Sequence, residues 1–145
     1  MKLVINKCYG GFSLSLEAIR AYAKAKGETL YFYHRTKYKH EGGVDECERM
    51  DEVGDITDSF MTYKLLDDVG KRVGGDALYQ ARWLHDRDIS RDDKDLVGVV
   101  EELGSERASG KFAQLEIVEI PDGANWELEE YDGIEWVSES HQRWG

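Results

Sequence analysis

Gly10 and Gly11 stand between a short apolar run and an amphipathic segment, where a chain most readily holds an anion. The first N–H groups of a helix lack intrahelical partners, the helix dipole favours negative charge there, and glycine lets a ligand reach the backbone. Asn6, Tyr9, Phe12, Ser13 and Ser15 surround the pair with amide, aromatic and hydroxyl groups that suit a small phosphorylated or nucleotide-like ligand. The spacing is neither G-x-G-x-x-G nor a Walker loop, so a tight turn with a helix cap and no ligand is the plain alternative. Cys8 is the catalytic candidate at this junction, since a thiol near a helix N-terminus is a better nucleophile; a lone cysteine at a strand end is more often a small buried apolar residue. The basic, aromatic stretch 31–39, with Tyr33, Arg35, Lys37, Tyr38 and Lys39, would form a second wall for a phosphate, or else a solvated loop.

Other groups are less selective. His34, His85 and His141 are general-base candidates by residue type, since histidine as a class titrates near neutrality, but nothing in their spacing singles one out. With His40 and Cys47 also dispersed there is no CxxC or HExxH pair, so neither a metal nor a cofactor is expected. From 112 to 142 the chain has nine acids and no Lys or Arg, with Trp126 and Trp136 among them and Trp144 just beyond. An Asp132-Gly133 turn would set Glu130 opposite Glu135, an unfavourable pairing that a bulge or exposure to water would relieve. Glu129, Glu130, Glu135 and Trp136 are therefore the candidate surface for a basic protein partner, with solubility as the commoner meaning of such a face. At least two of the three tryptophans are expected in the core.

The elements that must position these groups are legible in part. Lys2 to Asn6 reads as a short buried strand. Ser15 reads as the N-cap of a helix with Leu16, Ile19 and Ala23 on its apolar face, Lys24 and Lys26 near its end and Gly27 as its stop. Residues 29–34 have the β-branched and aromatic content of a second strand, so the opening predicts a Rossmann-like βαβ unit. The stretch 36–59 holds Gly42, Gly43 and Gly54 among eight acids and reads mostly as a long loop or insertion. A strand at 60–66, a short helix at 77–85, a helix capped by Ser90 or Asp92 and stopping at Gly104, a strand at 115–120 and a hairpin of 126–131 with 134–137 complete the chain. The expected fold class is α/β, with α+β as the other arm: a small mixed sheet, flanking helices and a C-terminal β-hairpin in one domain, 1–145.

Composition bounds the rest. A net charge of −11 over 145 residues, with pI near 4.8, argues against direct nucleic-acid binding, although an acidic chain can imitate nucleic acid toward a protein that binds it. No apolar run approaches the ~20 residues of a membrane span and no signal pattern opens the chain, so a cytoplasmic protein is expected. Edge strands in a short sheet make a homodimer reasonable.

The opening 1–15 (MKLVINKCYGGFSLS) and the stretches 95–104 (DLVGVVEELG), 117–123 (IVEIPDG) and 131–144 (YDGIEWVSESHQRW) resemble a family of small bacteriophage and prophage proteins. That resemblance implies an accessory protein of the infected bacterial cytoplasm, and countering a host defence would be one use for it. The first 34 residues are also similar, more faintly, to sugar-phosphate isomerases of the ribose-5-phosphate isomerase B type. Cys8-Tyr9 stands where that family has Asp-His, and its later Cys-Gly-Thr-Gly loop has no counterpart. Three functions follow as expectations: a non-catalytic protein that holds a phosphorylated or nucleotide-like ligand at the Gly-Gly loop; an acidic interaction module that mimics nucleic acid and inhibits a basic host protein; or an isomerase-like enzyme using Cys8.

Overall fold

Strand β1 (Lys2–Asn6) pairs antiparallel with β6 (Leu115–Glu119), from Lys2 opposite Glu119 to Asn6 opposite Leu115. The computed structural model describes residues 1–37, 46–50 and 62–139, and all that follows concerns these. Helix α1 (Leu16–Ala25) leads to β2 (Tyr31–Lys37), which lies in a second sheet of order β4-β2-β3-β5, with β3 Glu46–Arg49, β4 Thr62–Leu65 and β5 Arg72–Gly74. Helix α2 (Gly75–Gln80), a short 3-10 turn at Asp86–Asp88 and helix α3 (Lys94–Ala108) come before β6, and β7 (Trp126–Tyr131) with β8 (Ile134–Glu139) forms the C-terminal hairpin.

The chain is thus α+β, with helices packed on small sheets, and every ladder among the described residues is antiparallel. Strand, helix and strand occur in the expected order, but the parallel βαβ unit does not form, because β1 and β2 share no ladder. On β1, the Val4 N–H donates to the Arg91 carbonyl at 2.9 Å, so a chain segment stands where a parallel neighbour would bond. Part of 36–59 is strand rather than loop: β2 runs to Lys37, and Glu46–Arg49 is β3. Gly42, Gly43 and Gly54, with Tyr38, Lys39, His40, His141 and Trp144, lie outside the described residues.

Two cores result. Leu16, Ala18, Ile19, Tyr22 and Ala23 on α1 face Leu96, Val97, Val99 and Val100 on α3, with Val4, Phe32 and Leu115 closing the first core. Tyr33, Cys47, Leu65, Val73 and Leu78 make the second. Strand β2 joins them, because successive side chains point to opposite faces: Phe32 enters one core and Tyr33 the other.

Ser15 caps α1 as its sequence position implies, its Oγ accepting from the Ala18 N–H at 3.0 Å. The cap of α3 is Asp93, one residue past the expected Asp92, accepting from the N–H groups of Asp95 and Leu96 at 2.8 and 3.3 Å. Gly104 breaks that helix at φ +81°, and a last turn then runs on to Ala108. Asp93 also accepts from Tyr22 Oη at 3.1 Å and pairs with Lys26 at 3.0 Å, tying the end of α1 to the start of α3.

Burial alone would raise the Asp93 carboxyl, but hydrogen bonds from Lys26 and from the Asp95 and Leu96 N–H groups outweigh it and hold the group below its ordinary value. A depressed folded pKa contributes stability that is complete above the unfolded value, about 4, and is lost as pH falls through the folded value. Asp93→Asn keeps a capping oxygen and removes the charge. Urea unfolding between about pH 6 and pH 2 should therefore show the gap between variant and wild type narrowing toward acid; a gap that stays constant sinks this account.

Candidate functional site

The protein's own groups occupy much of the Gly-Gly junction, although the space beside Gly11 is open. Asn6 is fully buried at the end of β1. Its Nδ2 donates to the carbonyls of Cys8 and Gly133 at 2.6 and 2.8 Å, and its Oδ1 accepts from the N–H groups of Cys8 and Gln114 at 3.2 and 2.9 Å. No part of that amide is left for a ligand. A Cβ at Gly10 would stand 2.0 Å from the Phe112 carbonyl oxygen, and one at Gly133 would stand 2.3 Å from that of Tyr9, so both glycines serve close chain-to-chain approach. The anion at the start of α1 is also internal: Asp86 accepts from the Leu14 N–H at 3.1 Å, while the Ser15 N–H donates to the Ala108 carbonyl at 2.9 Å. Ser13 Oγ is buried against Gly110 with no hydrogen-bond partner. Cys8 is half-buried and Cys47 buried; both are free thiols.

The other expected residues divide. Tyr33 is a core residue whose hydroxyl donates to the Gly70 carbonyl at 2.8 Å and accepts from the Val69 N–H at 3.2 Å; burial pushes its pKa up. Arg35 lies over the Tyr63 ring and donates to its hydroxyl. In the hairpin, Asp132 (φ +51°) and Gly133 (φ +93°) form a tight two-residue turn with positive φ at both positions, and Glu130 does face Glu135 in an unbulged register. The conflict is relieved by giving the two acids different partners. Glu130 accepts from the Gly133 N–H at 3.2 Å. Glu135 is only 3% exposed and takes a two-pronged ion pair from Arg91, one prong at 2.8 Å, while accepting from the Asn6 N–H at 2.8 Å. Glu135 is therefore a buried structural acid, which corrects its place on the expected partner surface. Glu129 and Trp136 remain on that surface, joined by an indole N–H to carboxylate bond of 2.7 Å.

A cleft of about 240 Å³ opens beside the loop rather than within it. Phe12 and Ser13 form one wall; Thr62, Tyr63 and Lys64 of β4 and the stretch from Trp83 to Arg87 form the others. The rings are ordered among themselves: His85 stacks on Trp83 at 5.9 Å and Trp83 meets Tyr63 edge-on at 5.1 Å. Trp83 is fixed by its indole N–H, which donates to the Leu78 carbonyl at 2.8 Å. Lys64, His85 and Arg87 give the cleft a basic lining in an acidic protein, and the Asp86 carboxylate is already engaged by Leu14. No motif spacing marks this site, because its walls come from three distant segments. The one local signal is the density of basic and aromatic residues from Arg82 to Arg87.

Among the described residues no group of three or more His, Cys, Asp or Glu side chains is placed to hold a metal, and no helix is long and apolar enough to cross a membrane. Compared with protein families, with curated proteins and with solved structures, the chain finds no match.

Proposed function

We propose that the protein binds a small phosphorylated or nucleotide-like ligand without transforming it, in the cleft between Phe12-Ser13, Tyr63-Lys64 and Trp83–Arg87. The observation that carries this is the Trp83–His85 stack set beside Lys64 and Arg87 in a cavity of about 240 Å³. Stacked rings suit a heterocycle and the cations suit a phosphate. The volume lies just below the usual range for small-molecule sites, which favours a mononucleotide over a dinucleotide. Cys8 does not line the cleft, which speaks for binding over thiol chemistry there. On this proposal the protein is an accessory factor of a phage or prophage in the bacterial cytoplasm, and sequestering a host signal would be its use.

Adenosine monophosphate, guanosine monophosphate and inorganic phosphate are the probes, titrated by calorimetry and by tryptophan fluorescence. Arg87 is exposed and makes no ion pair among the described residues, so Arg87→Ala should leave the fold intact. Losing one charge-assisted contact should weaken mononucleotide binding roughly tenfold or more. Failure of every probe to bind at millimolar concentration, or equal binding by wild type and Arg87→Ala, would remove the proposal.

A further inference from the structure

The hairpin has one face on the body of the protein and one in water. Glu135 reaches Asn6 and Arg91 on the inner side, and Leu128 and Val137 share that face by the period of two. The outer face carries Glu127, Glu129, Tyr131 and Trp136, all exposed. Tyr131 is 74% exposed and Trp136 41%, an unusual amount of aromatic surface to leave in water on so small a sheet. The Trp136 ring is nonetheless pinned, because its N–H is held by Glu129 across the strands at 2.7 Å. At the turn, Gly133 abuts the Tyr9 carbonyl, which brings a further exposed aromatic, Tyr9, against this end of the hairpin. On this face Glu127 and Glu129 form no salt bridge among the described residues.

We infer that this outer face docks an arginine-rich extended segment of another protein. Aromatic rings between unpaired carboxylates match arginine specifically: the planar guanidinium stacks on a ring and also presents a fork to a carboxylate, whereas lysine offers a point charge. A second copy of this chain is a poor occupant, since an antiparallel copy laid along β7 would bring glutamate against glutamate. The acidic edge thus disfavours self-pairing while attracting a basic segment. This surface is independent of the cleft, which no hairpin residue lines.

The test uses the full chain with two synthetic peptides of equal length and charge, alternating arginine with serine and lysine with serine. Affinities are read by fluorescence anisotropy at moderate salt. Wild type should bind the arginine peptide several-fold more tightly than the lysine peptide. Tyr131→Ala with Trp136→Ala should abolish that preference and cost roughly tenfold in arginine-peptide affinity. Glu129→Gln keeps an acceptor for the indole and removes a charge, so it should weaken both peptides. Glu102→Gln with Glu106→Gln, on exposed positions of α3, serves as the remote control and should change binding by less than about twofold. Equal affinity for the two peptides, or equal losses from the hairpin and remote variants, would show bulk charge attraction alone and overturn the inference. So would a dimer by sedimentation that Trp136→Ala dissociates.

Discussion

Arg91→Met is expected to lower the unfolding free energy at neutral pH by about 3–5 kcal/mol, the usual result of stripping the partner from a buried charge. The Glu135 side chain is 4% exposed and that of Arg91 14%, so water cannot replace the lost guanidinium. Arg91 does more than pair: its guanidinium lies 3.5 Å from the centre of the Phe12 ring, and its carbonyl accepts from the Val4 N–H. Methionine keeps the backbone bond and much of the contact with Phe12, which isolates the electrostatic part. Adding Glu135→Gln to Arg91→Met should then restore about 2 kcal/mol, because the amide oxygen still accepts from Asn6 while the unpaired charge is gone. Urea unfolding of the two single variants and the double variant checks both values. A cost below about 1 kcal/mol for Arg91→Met would mean that Glu135 finds another partner or water, and the hairpin would not be anchored as described.

Asn6→Asp should be nearly as damaging, at about 3 kcal/mol, although the two side chains have the same shape. The amide donates to the carbonyls of Cys8 and Gly133 and accepts from Cys8 and Gln114, four bonds that join β1, the Gly-Gly loop, the approach to β6 and the hairpin turn. Aspartate keeps the two acceptors and loses both donors, leaving two carbonyls facing an oxygen, at about 1–3 kcal/mol for each unsatisfied group. The loss should be local first. Hydrogen exchange across β8 should quicken more than exchange across β2 and β4, which Asn6 does not touch. Unchanged stability, or uniform quickening in both sheets, would contradict the role given to Asn6.

Both effects concern residues whose types were conspicuous and whose roles were not. By residue type and position Asn6 reads as a ligand contact and Glu135 as a partner contact. In the fold the two bond each other, and nothing within a few residues of either says so. Glu130 opposite Glu135 was legible, because a two-residue turn sets the register. Its resolution was not legible, because Arg91 lies 44 residues away in the chain. The cleft is illegible in the sequence for the same reason: Phe12, Lys64 and Arg87 come from three segments joined only by packing.

What the sequence determined by itself is much of what is set within a turn or two of the chain: the Ser15 cap, the Gly27 stop, the buried stripes of α1 and α3, and the Asp132-Gly133 hairpin. Each depends on hydrogen bonds and side-chain periods between near neighbours, so residue type and spacing suffice. The tertiary structure decided the pairings. A five-residue run such as β1, buried from Leu3 to Asn6, carries no alternation of faces to mark its neighbour, so a parallel partner in β2 and an antiparallel one in β6 fit its residues equally well. Contacts made elsewhere settle the choice: Arg91 bonds to Val4 and Glu135, and α1 packs on α3 beneath β1. The same long-range choice closed the Gly-Gly loop on itself and opened a basic, aromatic cleft beside it.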